Sequence, residues 1–128
     1  MFNKKLIILI YYTQLILLIL LYFAPSWLMK FLFNFEPGIA ITKNYEIGLS
    51  IYHLIYMFIL TVFGLLKNGL EKKNILLLFI ISFSIELLHY FIPYRSFEIK
   101  DYLGNIAGFL LATITFAGVN FIKKYYYN

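Results

Sequence analysis

Six side chains able to bind ions or exchange protons lie inside or beside stretches that are otherwise apolar. They are His53, Glu86, His89, Arg95, Asp101 and Asn105. Carboxylate and imidazole groups exchange protons, an amide donates and accepts hydrogen bonds, and a guanidinium holds an anion through two parallel bonds. Such groups are costly in lipid, so the set predicts either a ligand site or a paired structural role.

Helical spacing places these side chains on shared faces. Glu86 and His89 are three residues apart, and Asp101 and Asn105 are four apart. Residues three or four apart lie on the same side of a helix. Each pair can therefore face one common neighbour, and a site built from several helices is predicted.

The composition requires a membrane around those helices. Of 128 residues, 62% are hydrophobic and only 13% are charged, and the mean hydropathy is +0.83. One small core cannot hide this much apolar surface, so it must face lipid. The net charge of +5 belongs to the segments that flank the membrane and does not indicate a nucleic-acid partner. The absence of cysteine excludes disulfides and thiolate chemistry.

Four apolar stretches predict an all-α polytopic membrane protein, a single domain over residues 1–128. They span about 6–23, 47–66, 75–92 and 102–122, each close to the length that crosses a bilayer as a helix. A stripe of apolar residues after Pro25, with Trp27 at its start, predicts a short interfacial helix between the first two spans. The alternative for this segment is an apolar loop.

Depth along the helices brings the polar residues to one level. Glu86 lies seven residues before Pro93, near the end of the third span, and His53 lies seven residues after Glu46, near the start of the second. Because these two ends are on the same side of the membrane, both residues are roughly 10 Å below the same surface. His89 and Asn105 belong to the same layer, and Asp101 lies just above it. On the fourth helix a stripe of small residues, Gly104, Gly108 and Ala112, predicts close approach of the second or the third helix.

Basic residues set the predicted orientation. Seven lysines flank the side that carries both termini, against four basic residues on the other side. Positive segments stay in the cytoplasm, so both termini are predicted to be cytoplasmic and the polar layer to face outward.

The stretch from Glu86 to Gly108 resembles the signature of the VanZ-like family. The residues that match it in order and spacing are Glu86, Phe91, Pro93, Arg95, Asp101, Asn105 and Gly108. His53, early in the second helix, is similar to a histidine of that family. Two departures are His89, where the family usually has Gln, and Ser50, where it often has Lys. The resemblance implies a bacterial cell-membrane protein linked to teicoplanin resistance, which is a phenotype and gives no chemistry.

The leading hypothesis is a binding protein for an amphiphile at the outer leaflet, such as a lipid-linked wall precursor or a lipid-tailed glycopeptide. Arg95 would hold an anionic head group, and Asp101, at a helix N-terminus, would orient Arg95. Glu86, His53 and Asn105 would hold polar groups of the ligand that lie deeper in the membrane than this head group.

Three alternatives remain at this stage. An enzyme would use Glu86 or His53 as general base and Arg95 to stabilise an anion, although no nucleophile motif is present. A structural subunit would use the layer only for packing, and a transporter would need a homo-oligomer. No cofactor is predicted, and no metal either, because Glu86 and His89 form only one Glu-x-x-His pair where di-metal bundles need two.

Overall fold

The computed structural model describes residues 3–24, 26–33, 48–92 and 97–127. Regular structure in these ranges is helical throughout. The elements are α1 Lys4–Tyr22, α2 Ser26–Phe33, α3 Ile51–Asn68, α4 Lys72–Leu87, a 3-10 turn Leu88–Phe91, and α5 Ile99–Tyr127. Four helical segments are long and apolar enough to cross a membrane, the third being α4 with its 3-10 turn. The predicted all-α polytopic architecture is confirmed.

The helix ends differ from those predicted by hydropathy. α3 begins at Ile51, whereas a start near residue 47 was predicted, and α4 begins three residues early at Lys72. α5 has 29 residues, about 43 Å at 1.5 Å per residue, and is longer than the hydrocarbon layer. Helices continue into the polar boundary of the bilayer, where lysines such as Lys72 are tolerated, and hydropathy does not register those turns.

The segment after the first span is helical, as predicted, over Ser26–Phe33. Trp27 and Phe31 are 68% and 82% exposed, so this helix turns aromatic rings away from the protein. That exposure suits a helix lying at the membrane boundary, and its placement there stays a prediction. The continuation of the predicted stripe beyond residue 33 lies outside the described residues.

α3 lies at the centre of the bundle, and its contact with α5 is the most extensive between any two elements. The reason is the small-residue stripe of α5. A Cβ added at Gly104 would lie 2.6 Å from the carbonyl oxygen of Ser50, and one added at Gly108 would collide with the carbonyl oxygen of Leu54. The two backbones therefore touch directly, and of the two neighbours predicted for this stripe, α3 is the one found.

The opposite end of α3 is fixed by a short polar turn. Gly69 ends the helix with φ +70°, a conformation that glycine adopts without strain. The side chain of Asn74 donates to the carbonyl oxygens of Gly64 at 3.1 Å and Gly69 at 2.9 Å. These bonds join the last turn of α3 and its C-cap to the first turn of α4, and they set the register between the two helices.

Gly108→Ala should lower the free energy of unfolding in detergent by about 1–3 kcal/mol, because the new methyl group overpacks the contact between α3 and α5. Gly118→Ala is the matched control on the same helix, since no atom lies within 4 Å of its added Cβ. The control should be neutral or stabilising by up to about 1 kcal/mol, the helix-propensity difference. Equal losses of stability in the two variants would contradict the close approach.

Candidate functional site

Polar side chains from four helices and the 3-10 turn meet near one end of the bundle. We call this group the polar cluster. Its members are Tyr22, His53, Glu86, His89, Asp101 and Asn105. Five of the six residues singled out from the sequence are thus brought together. The sixth, Arg95, lies outside the described residues.

Glu86 is the centre of the polar cluster and has no exposed surface. Its Oε1 accepts hydrogen bonds from His89 Nδ1 at 3.1 Å and from the backbone N–H of Glu98 at 3.1 Å. Its Oε2 accepts from the Tyr22 hydroxyl at 3.2 Å. Three donors from separate parts of the chain replace the water that this carboxylate would otherwise need.

His53 connects the centre of the polar cluster to its outer edge. Its Nδ1 lies 3.3 Å from Asn105 Oδ1 and 3.3 Å from the Tyr22 hydroxyl oxygen. Its Nε2 lies 3.5 Å from Asp101 Oδ2. Asp101 is in the first turn of α5, where the helix dipole stabilises a negative charge.

Tyr22 is the member that sequence reasoning missed. It is 8% exposed, and its ring stacks on the imidazole of His89 at a centroid distance of 4.5 Å. A tyrosine at the end of a spanning helix is typical of an interfacial anchor, which conceals a buried role. The available signal was its depth, because Tyr22 ends α1 on the side where the polar layer was predicted.

The polar cluster is buried around Glu86 and partly exposed around His53 and Asp101. Glu86, His89 and Asn105 are buried, whereas the side chains of His53 and Asp101 are 27% and 20% exposed. Four buried side-chain atoms in the described part of the chain lack a hydrogen-bond partner, and two of them, His89 Nε2 and Asn105 Nδ2, belong to this cluster. Buried polar atoms are rarely left unpaired, so the cluster has capacity for a ligand.

An apolar cleft lies directly beside the polar cluster. It runs between α1, over residues 15–19, and α4 with the turn after it, over residues 80–88. Ser84 is the one polar residue in its lining. Leu18 in the cleft lies about one helical turn from Tyr22, and Ile85 precedes Glu86 in the chain, so the cleft lies next to the cluster.

One subset of the polar cluster has the spacing of a metal site. Donor atoms of His53, Glu86 and Asp101 all lie within 4.8 Å of one another. The pair weighed from the sequence, Glu86 and His89, is instead occupied by a direct bond between its two side chains.

Four spanning helices around a buried polar cluster define a multi-pass membrane protein with a candidate ligand site near one end. A family model described as VanZ/LLP1 matches residues 7–122. The chain therefore belongs to the VanZ/LLP1 family and is a VanZ-like membrane protein, as the signature in the sequence predicted. Neither the curated proteins nor the solved structures contain a match to it.

Tyr22→Phe should lower the free energy of unfolding by about 1–3 kcal/mol, because it removes the hydroxyl that serves Glu86 and leaves that buried acceptor unpaired. The ring that stacks on His89 is retained. Tyr12→Phe is the control, since the Tyr12 hydroxyl accepts from Lys67 at the exposed surface, and it should change stability by less than about 0.5 kcal/mol. Detergent-titration unfolding of both variants checks this. A Tyr22→Phe protein as stable as wild type would show that the cluster does not depend on this bond.

Proposed function

We propose that this chain binds an amphiphilic envelope ligand at the outer leaflet of a bacterial cell membrane, and that this binding underlies a link to glycopeptide resistance, teicoplanin resistance in particular. The ligand class is a lipid-tailed glycopeptide or a lipid-linked wall precursor. The observation that carries the proposal is the proximity of a polar cluster and an apolar cleft. An amphiphile has a polar head joined to an apolar tail, so its two parts would match the cluster and the cleft.

The polar part of the ligand would occupy the partly open side of the polar cluster. Asn105 Nδ2 and His89 Nε2 have no partner in the described structure, and hydroxyl, amide or phosphate groups of a ligand would pair with them. Bonds made in a site shielded from water discriminate strongly, because a wrong ligand leaves buried groups unpaired. In this proposal Arg95, outside the described residues, meets an anionic group of the ligand, and Asp101 orients it.

The apolar part of the ligand would lie in the cleft between α1 and α4. The lining is almost entirely aliphatic, so it offers nothing to a soluble polar molecule and suits an acyl or prenyl chain. In a bilayer, water does not drive such an association, and close packing and the fit of the tail supply it.

The orientation in the proposal follows from the basic residues. With both termini cytoplasmic, as the excess of lysines on that side predicts, the polar cluster faces the outer surface. Glycopeptides and exported wall precursors are met on that side.

Catalysis is the second hypothesis from the sequence, and the described contacts favour it less. Glu86 already accepts three hydrogen bonds, which hold the carboxylate in place and occupy the oxygens that a general base would offer to a substrate. Among the described residues, no serine or threonine hydroxyl joins the hydrogen bonds of the polar cluster.

Glu86→Gln should weaken binding of a lipid-tailed glycopeptide at least tenfold, a loss of about 1.4 kcal/mol, because an amide cannot accept all three bonds. The control is Glu71→Gln, which changes an exposed side chain before α4 that makes no capping bond. Binding is measured with purified protein in nanodiscs, and resistance is measured in cells that express each variant. Equal affinity and equal resistance for wild type and Glu86→Gln would contradict the proposal. Loss of folded protein in Glu86→Gln alone would favour a purely structural cluster.

Ser84→Phe tests the tail site, since the larger side chain would fill the cleft. It should weaken binding of the lipid-tailed glycopeptide at least tenfold, about 1.4 kcal/mol, and leave a glycopeptide without a tail unaffected. Leu76→Phe is the control on the same helix, at a position that is 57% exposed and outside the cleft lining. If Ser84→Phe binds the tailed ligand like wild type, the tail lies elsewhere.

A further inference from the structure

Three helices bring an imidazole and two carboxylates close together between the buried centre of the polar cluster and its partly exposed side. The donor atoms of His53, Glu86 and Asp101 lie within 4.8 Å of one another. We propose that these three side chains form a mononuclear site for a divalent transition-metal ion of the zinc class. This inference is independent of the amphiphile and stands or falls by metal binding alone.

The hydrogen bonds around His53 are compatible with the ring form that a metal requires. The Tyr22 hydroxyl donates its one proton to Glu86 Oε2, so its oxygen can only accept from His53 Nδ1, 3.3 Å away. Asn105 Oδ1, on the same nitrogen, is also an acceptor. Assigned from these bonds, the proton of the neutral ring is on Nδ1 and the lone pair is on Nε2.

That lone pair faces Asp101 Oδ2 at 3.5 Å. Two acceptor atoms this close repel each other unless a cation or a proton lies between them. Histidine ligands characteristically bind a metal through one nitrogen while the other donates to a fixed oxygen, which orients the ring. Asn105 and Tyr22 supply that outer support here.

The distances suit a small ion. Zinc binds imidazole nitrogen and carboxylate oxygen at about 2.0–2.2 Å, which sets neighbouring ligand atoms of a tetrahedron roughly 3.4 Å apart. The separation of 3.5 Å between His53 Nε2 and Asp101 Oδ2 matches this. The Glu86 donor atom lies within 4.8 Å of the other two, so zinc binding would require this carboxylate to move closer. Its Oε1 is bonded to His89 and to the backbone of Glu98, which leaves Oε2 as the oxygen that would bind the ion.

Charge favours occupancy by a dication. Within the described residues, the ion-pair partners of Glu86 and Asp101 are histidines, and the nearby Lys100 pairs with Glu98 instead. Two carboxylates held this close together are costly to bury unless positive charge lies beside them. A divalent ion would supply that charge, and ions are often the largest local charges in such sites.

The site also has an entrance and a vacancy for a further ligand. The side chains of His53 and Asp101 are 27% and 20% exposed, which gives an ion a path from the surface. Three protein donors leave the fourth tetrahedral position open, the arrangement of zinc sites that bind a water or an external molecule. Asn105 Nδ2, buried and without a partner, is an independent sign that this pocket receives an additional acceptor atom.

The donor set differs from the one considered from the sequence. There, Glu86 and His89 were examined as a Glu-x-x-His pair and no metal was predicted. In the structure His89 donates to Glu86 and serves as a positioning residue. Asp101, assigned to the loop boundary above the layer, takes the place of the third ligand.

The test uses tag-free, full-length protein in neutral detergent, stripped with a chelator and dialysed against Zn²⁺. Elemental analysis should find one zinc per chain, and Co²⁺ substitution should give the intense visible bands of a tetrahedral site. Affinity should follow Zn²⁺ above Mn²⁺. Asp101→Asn and His53→Gln should bind zinc at least tenfold more weakly, whereas Glu71→Gln should bind it like wild type.

Folding of each variant is confirmed by a monodisperse elution profile before its metal content is measured. Failure of the wild-type chain to retain stoichiometric zinc would overturn the site, as would a cobalt spectrum that survives both Asp101→Asn and His53→Gln. An imidazolium at His53, shown by nitrogen NMR at neutral pH and unaltered by zinc, would mean that a proton occupies the position instead. In each of these cases amphiphile binding by the chelator-treated protein would leave the proposed function standing.

Discussion

A single carboxylate with no access to water constrains this bundle more than any other group. Glu86 sits in a helix that faces lipid on several sides, and the bilayer offers it no hydrogen-bond donor. Its donors come from α1, from the 3-10 turn and from the backbone that leads into α5. Each of those elements must therefore hold a fixed distance from α4. The cost of burying the charge is offset only while all three remain in place.

The contact between α3 and α5 makes that arrangement attainable. Gly104 and Gly108 let the two backbones touch, and this brings His53 within bonding distance of both Asn105 and Asp101. A larger residue at either glycine would separate the pairs by more than a hydrogen bond can span. Packing and polar chemistry are thus two results of the same short interhelical distance.

The spans and the depth of the polar residues could be predicted from the sequence, because lipid excludes both unpaired backbone groups and unpaired polar side chains. Hydropathy located four spans, and counting residues from the helix ends placed His53, Glu86 and Asn105 at one depth, where the structure joins them. It could not identify Tyr22, since a tyrosine at a helix end serves equally well as a boundary anchor. Nor could it choose between α3 and α4 as the neighbour of the glycine stripe, because a small residue indicates close approach but not its partner. The tighter winding of Leu88–Phe91, which turns His89 onto Glu86, has no hydropathy signal at all.

The weak packing between α1 and α4 has one more consequence. These two helices are not among the closely packed pairs of the bundle, and an apolar cleft lies between them. A ligand that reached this cleft from between the two helices would come from the molecules that diffuse within the plane of the bilayer. The occupancy of the cleft would then depend on the number of ligand molecules per unit area of the leaflet and not on the ligand concentration in the surrounding solution. A change in lipid composition that alters this density would therefore alter the occupancy of the cleft without any change in the sequence of the protein.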